Sequence, residues 1–153
     1  MHVLTRDEAD ARVLMDSGVR DTYSFAPILV DDGMISNSIL KHRVKQVNPR
    51  AGVGMIEPGH WVAIITDGRQ PGYSMSISLE FFAQMFIDCG CTVAFNMDGG
   101  SSGGIVFMGE MLNRHEAPGT NDVQRRWLDA LEFGYSEQLP SPETPTVHNG
   151  YHY

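Results

Sequence analysis

Between Leu79 and Cys89 the polar residues Glu80, Gln84 and Asp88 recur every fourth position, while Leu79, Phe81, Phe82, Ala83, Met85, Phe86 and Ile87 fill the remainder. That period is helical, and so narrow a polar stripe predicts a helix over about 79–89 that is buried on most sides. Two continuous apolar runs, Trp61 to Thr66 and Val93 to Met97, have the length of strands. The first reads as a strand covered on both faces, and the helix is expected to pack across the sheet that holds both runs. Ala51 to Ile56 is extended, with Gly52 and Gly54 inside it. Glu57-Pro58-Gly59-His60 then supplies a tight turn, because proline presets φ and glycine takes the positive φ that follows.

Towards the N-terminus, Thr5-Arg6-Asp7-Glu8 has the form of a capping box, with Ala9, Val13 and Leu14 at helical spacing and Gly18 as the stop. This predicts a short helix over about 6–17. Thr22 to Phe25 and Ile28 to Val30, divided by Pro27, predict a bent strand, and Asp31-Asp32-Gly33 a hairpin into Met34-Ile35. Residues 36–42 carry little signal, and 43–47 alternate like a strand with one polar face. Further on, Ile105 to Met108 and Met111-Leu112 flank a Met108-Gly109-Glu110 turn, and 113–123 read as loop. Residues 126–133 fit a last strand or a short helix equally. From Gln138 onward three prolines and no apolar period predict a disordered tail over 138–153. The expected architecture is one domain over 1–137 of α/β (α+β) class: a mixed β-sheet, one buried helix packed on it, and a short N-terminal helix.

Composition narrows the partners. With 153 residues, 42% hydrophobic and 20% charged, the chain has the profile of a soluble protein with one core. A formal net charge of −8 argues against nucleic-acid or acidic-membrane partners. It leaves room for a small anion site, because one or two arginines suffice to bind a phosphate. Cys89 and Cys91 are too near each other for a normal bridge and read as buried thiols. No run approaches membrane-spanning length, and the polar N-terminus lacks the apolar stretch of a signal peptide, so the chain is read as not exported by itself.

The candidate chemistry centres on the stretch Thr92 to Phe107, TVAFNMDGGSSGGIVF. Its glycines pack poorly but let peptide N–H groups approach a ligand, while Asn96, Asp98, Ser101 and Ser102 supply polar groups on one ledge. The alternative for this loop is a glycine-rich hairpin with an Asx turn. Two other polar loops, Asn48-Pro49-Arg50 and Asp67-Gly68-Arg69, are likewise read as following an apolar strand. Set at one end of a sheet, the three loops would gather two guanidiniums, two carboxylates, two carboxamides and two hydroxyls. That mixture suits a sugar joined to a phosphate, since arginine forks match phosphate oxygens and a carboxylate can act as nucleophile or stabilise an oxocarbenium-like transition state. Taken singly, Arg50 and Arg69 read by default as surface arginines or ion-pair partners of Asp67 and Asp98. His60 reads as a turn residue, and His115, His148 and His152 receive no role. No cluster has metal-ligand spacing, so neither metal nor cofactor is expected. No Gly-Lys-Ser/Thr follows the glycine-rich loop, and no nucleophile elbow surrounds its serines.

Four segments carry a resemblance: NPRAGVGMIEPGHW, DGRQPGYS, CGCTVAFNMDGGSS and, more loosely, GVRDTYSFAPILVDDG. In order and spacing, across about residues 12–131, they resemble the phosphodiester glycosidase family, that of the N-acetylglucosamine-1-phosphodiester α-N-acetylglucosaminidases. The resemblance implies hydrolysis of a sugar-1-phosphate diester, releasing the sugar and leaving a phosphomonoester. It carries over Asn48, Arg50, Asp67, Arg69, Ser74, Asn96, Asp98 and Ser102, with Gly68, Gly99 and Gly100 shaping the loops; Arg125 and Asp129 match a looser C-terminal pattern. The resulting expectation has Asp98 as nucleophile or cation stabiliser and Asp67 as second carboxylate or orienting group. Asn48, Arg50, Arg69, Ser74, Asn96, Gly99, Gly100, Ser101 and Ser102 are expected to contact the glycosyl phosphodiester.

The chain departs from the family pattern at several points. Ala51 stands where threonine is usual, Ser76 where glycine is usual, and Gly103-Gly104 where a small or hydroxyl residue and threonine are usual. The family's helix glutamate falls at Phe81, so Glu80, one place early, stays outside the expected site. Family domains generally carry a further N-terminal segment with strands of its own, and this chain is expected to be either a natural half-domain, with a homo-oligomer or that missing segment as partner, or a truncated form of the domain. Two other readings stay open beside catalysis: a sugar-phosphate-binding module, and a partner-dependent half-domain of a larger secreted or phage-associated assembly. Family relatives are often secreted or cell-surface proteins, which leaves the compartment undetermined.

Overall fold

In the computed structural model, which describes residues 1–42, 46–114, 127 and 130–132, the chain divides into two units. The smaller comprises Leu4–Tyr23 and Asp129–Tyr153. Its described helix, α1 (Ala11–Asp16), starts later than the capping box predicts. The Glu8 carboxylate accepts both the Thr5 amide and the Thr5 hydroxyl, each at 2.7 Å. These bonds, the backbone one foremost, lower the Glu8 pKa. With its hydroxyl proton given to Glu8, Thr5 only closes a turn, and Asp10 caps the helix instead, accepting from the amides of Arg12 and Val13. The stop is as predicted. Gly18 takes φ 80, while its N–H reaches the Met15 carbonyl and that of Val19 the Leu14 carbonyl, the paired bonds of a left-handed helix ending.

The larger unit, Met1–Val3 with Ser24–Leu128, holds a five-stranded sheet. Its strands are β1 (Ile28–Asp31), β2 (Met34–Ile35), β3 (Arg50–Glu57), β4 (His60–Thr66) and β5 (Val93–Met97). They lie in the order β2-β1-β5-β3-β4 with every ladder antiparallel, and the fold is α+β. Asp32 and Gly33 turn β1 into β2 with both φ values positive, and Gly59, at φ 86, turns β3 into β4. Residues 22–25 form no strand, because pairing with β5 begins only at Ile28. Residues 36–42, silent in the sequence, contain a one-turn helix, α2 (Ser38–Lys41), which puts Ile39 in the core. The strand expected over 43–47 is described only at Gln46 and Val47, which form a bend.

The predicted long helix forms as α3 (Leu79–Asp88), capped by the Ser78 hydroxyl and ended by Gly90 at φ 83. Gly90 and Cys91 donate to the carbonyls of Ile87 and Phe86, which turns the chain straight into β5. Leu79, Phe82, Ala83 and Phe86 pack on Leu29, Val30, Ile39 and Ala94 to form the core. The close approach depends on β3. A Cβ on Gly54 would lie 2.7 Å from Phe86 Cδ1, and one on Gly52 would lie 3.0 Å from Phe82 Cε1. The helix therefore lies directly against strand backbone.

Three expectations fail, the first two because the helix buries a single face and covers a single face of the sheet, the third because the residue lies at the helix end. Phe81, expected in the core, is 60% exposed on the outer side of α3 beside Glu80. Trp61 and Ala63 are exposed while Val62 and Ile64 pack on the core, so β4 is an edge strand half-buried in alternation, not one covered on both faces. Cys89, at the C-cap of α3, is exposed; only Cys91 is a buried thiol, and burial raises its pKa. Downstream, β6 (Val106–Phe107) and β7 (Glu110–Met111) form the predicted hairpin around Met108 and Gly109, both at positive φ. The expected element over 126–133, the tail over 138–153, and Arg125 and Asp129 lie wholly or mostly outside the described residues.

Candidate active site

Because β3 runs opposite to β4 and β5, its start lies beside their ends, with Arg50 opposite Thr66 and Ala51 opposite Met97. The polar loops therefore meet at one end of the sheet. One detail differs from expectation: Asn48 and Pro49 lead into β3, which Arg50 opens, instead of following a strand. An antiparallel ladder needs just that mixture, one loop before a strand and two after.

The glycine-rich loop is laid tightly over the start of β3. A Cβ on Gly99 would lie 2.7 Å from the Pro49 carbonyl oxygen and 2.8 Å from Arg50 Cα, so no other residue fits there without moving main chain. Gly100 takes φ 64 and begins a short turn of 3₁₀ helix through Ser102, in which Ser101 is buried and Ser102 half-buried. Asp98, one residue beyond the last paired position of β5, is exposed and stands level with Arg50 in the ladder.

Arg50 is 4% exposed. Its amide donates to Thr66 Oγ1 at 3.0 Å, and its guanidinium donates to the Gln46 carbonyl. Burial, and after it the like charge of Arg69, lower its pKa. Arg69 is placed by a left-handed backbone, φ 57, and by its amide, which donates to Ser76 Oγ. Its Nη2 donates to Asn48 Oδ1 at 2.9 Å, which joins the first and second loops. Ser76 itself has φ 81, the left-handed region that favours glycine. Two guanidiniums held within mutual repulsion make a place that an anion stabilises.

Asp67 is held from two directions. Its Oδ2 accepts the Tyr73 hydroxyl at 3.1 Å and the Arg114 amide at 2.9 Å, while Ser74 Oγ donates to the Asp67 carbonyl at 2.6 Å. The bond to Asp67 is the main cause of a raised Tyr73 pKa, and the Arg114 guanidinium lies 5.1 Å over the Tyr73 ring. Ser74, expected to contact substrate, thus shapes the Asp67 turn. Gln70, 4% exposed, donates from Nε2 to the Arg114 carbonyl at 2.8 Å, and its Oε1 is buried without a hydrogen bond. An unmet buried acceptor costs about 1–3 kcal/mol. Pro49, Thr66, Asp67, Gln70, Gly100 and Arg114 border one shallow cleft.

The structure therefore brings together Asn48, Arg50, Asp67, Arg69, Gly99 and Gly100. Asn96 has a different local role: it is buried, its Nδ2 donates to the Ala26 carbonyl at 2.6 Å, and it ties β5 to the chain ahead of β1. Its Oδ1 is also buried without a hydrogen bond. Sequence reasoning missed Tyr73, Gln70 and Arg114. The first two lie inside the motif DGRQPGYS, but Arg114 sits in a stretch with no local signal, 44 to 47 residues from the groups it holds. Among the described residues no three His, Cys, Asp or Glu side chains gather as metal ligands, and no helix is long and apolar enough to cross a membrane.

The chain is 28% identical over 146 residues to the SPbeta prophage-derived uncharacterized protein YomE of Bacillus subtilis (strain 168). That match covers 90% of this chain and 21% of the relative, so the chain spans about a fifth of the length of this curated protein. Among solved structures it is similar to the catalytic domain of zebrafish N-acetylglucosamine-1-phosphodiester alpha-N-acetylglucosaminidase, auto-inhibited by its pro-peptide. The TM-score is 0.53 at 21% identity, over 65% of this chain and 38% of that one, a likeness of fold. Residues 2–131 match the family described as phosphodiester glycosidase, and with that match over most of its length the chain belongs to the phosphodiester glycosidase family.

Proposed function

We propose that the protein hydrolyses a sugar-1-phosphate diester, releasing the sugar and leaving a phosphomonoester. The observation that carries this reading is Arg69, bonded to Asn48 and beneath Gly100, at the same sheet end as buried Arg50 and as Asp67 and Asp98. A glycosyl phosphodiester has a stable anionic leaving group, so the main electrostatic task is to neutralise the departing phosphate. Two preorganised guanidiniums suit that task. Asp98, exposed and level with Arg50, is the carboxylate that attacks the anomeric carbon or stabilises its positive charge. Asp67, held by Tyr73 and Arg114, is the second carboxylate.

The test is release of free sugar from N-acetylglucosamine 1-phosphate methyl diester or a UDP-sugar. Asp98→Asn is expected to lower turnover about 10²- to 10⁴-fold while binding of N-acetylglucosamine 1-phosphate persists. Full turnover by that variant would remove Asp98 from the mechanism. The second reading is a sugar-phosphate-binding module, for which Arg69 bonded to Asn48 beneath Gly100 would serve without turnover. Under that reading the purified chain binds the sugar phosphate but releases no sugar.

A further inference from the structure

The buried oxygen of Gln70 has no role in the mechanism above. Its orientation is determined by chemistry: only the amide NH₂ can donate to the Arg114 carbonyl, so Oε1 is the end left over. That oxygen is shielded from bulk solvent, on a residue 4% exposed that borders the cleft with Asp67 and Gly100. A buried acceptor of this kind calls for a donor that the described residues do not supply. Its neighbour Asp67, half-buried, offers another acceptor. Among the described residues both donors to the Asp67 carboxylate, the Tyr73 hydroxyl and the Arg114 amide, reach Oδ2, which leaves Oδ1 as a second acceptor. Asp67 and Gln70, which both border the cleft, thus carry two acceptors on one turn, fastened by the Gln70 N–H to Ser74 carbonyl bond and by the Ser74 hydroxyl.

We propose that Gln70 is a binding residue of the site, whose Oε1 accepts a hydrogen bond from an O–H group seated in this cleft. The inference rests on the proposed glycosidase reading. The O–H belongs either to a sugar hydroxyl or to the hydrolytic water. In the second case the water oxygen bonds to the anomeric carbon as the bond from that carbon to its leaving oxygen breaks. The electron pair departs with the leaving oxygen, and the water's proton passes to the Asp67 carboxylate.

The experiment compares wild type and Gln70→Met on N-acetylglucosamine 1-phosphate methyl diester and its singly deoxygenated analogues, with the melting temperature of each protein. Gln70→Met is expected to stay folded and to lose ten- to a hundredfold in kcat/KM. If the donor is a sugar hydroxyl, one deoxy analogue loses the same factor on wild type and nothing further on the variant. If it is water, kcat falls at unchanged KM, and every deoxy analogue loses equally on both proteins. A folded Gln70→Met within twofold of wild type overturns the inference and leaves the glycosidase reading intact. A wild type that hydrolyses none of these diesters overturns the reading and the inference with it. Should Gln70→Met not fold, a crystal structure of the wild type with N-acetylglucosamine 1-phosphate decides: an oxygen within hydrogen-bond distance of Oε1 upholds the assignment, and none there overturns it.

Discussion

Replacing Gly54 by alanine tests the contact on which the sheet and its helix depend. The added methyl would lie 2.7 Å from Phe86 Cδ1, 2.8 Å from Cys91 Sγ and 3.1 Å from the Val93 carbonyl oxygen, where ordinary contact begins at 3.4 Å. Phe86 cannot simply withdraw. It is fully buried and set edge-on to Phe82, with ring centroids 5.2 Å apart. Overpacking of this kind costs about 1–3 kcal/mol. Removing a glycine from the unfolded chain returns roughly 0.4–1 kcal/mol, so the net destabilisation should be about 1–2 kcal/mol. For a chain of this length that is a fall of roughly 2–8 °C in melting temperature. The assay is urea unfolding of wild type, Gly54→Ala, Phe86→Leu and the double variant. With the ring removed, the methyl has space on that side, and the cycle should show coupling of about 1 kcal/mol. Gly59→Ala is the control: no atom lies within 4 Å of its Cβ, and its φ of 86 makes it costly for a backbone reason that Phe86 does not influence. An equal cost of Gly54→Ala in both Phe86 backgrounds, or no cost at all, would refute direct packing of α3 on β3.

Two further outcomes are expected. Gly99→Ala should lower kcat/KM about 10²-fold on a diester substrate with little change in melting temperature, because its methyl meets only main chain at Pro49, Arg50 and Ala51 and must lift the loop away from Arg50; wild-type activity would show that the loop's position is immaterial. A thiol reagent at about pH 8 should label Cys89 at once and Cys91 only on unfolding, and equal rates would contradict the burial of Cys91. Because burial raises the Cys91 pKa, the folded protein holds that proton more tightly than the unfolded chain. Its contribution is complete below the ordinary thiol value of 9.0 and is lost as pH rises through the higher folded value, so stability should decline on the alkaline side.

The parts of this protein legible in its sequence are those determined by neighbours along the chain. The period of α3 marks its buried face, Ser78 and Gly90 mark its ends, and Pro58-Gly59, Asp32-Gly33 and Met108-Gly109 give three turns, because caps and turns are chemistry between residues a few positions apart. The loops that carry Asn48, Arg50, Asp67 and Arg69 stand out by composition, and an antiparallel ladder suffices to bring them together. Tertiary structure decided the rest. Whether Phe81 and Trp61 are covered depends on which side of helix and sheet carries a second layer, and an apolar side chain in a periodic run does not record that. The sequence pattern presents Asn96 as another loop carboxamide, yet its place in β5 turns it towards the Ala26 carbonyl. The grip of Tyr73 and Arg114 on Asp67, and the open oxygen of Gln70, arise where the return from the β6–β7 hairpin meets the Asp67 turn. Hydrogen bonds between such distant residues leave no periodicity and no composition bias in the chain. They exist only once the core has brought both segments to the same place.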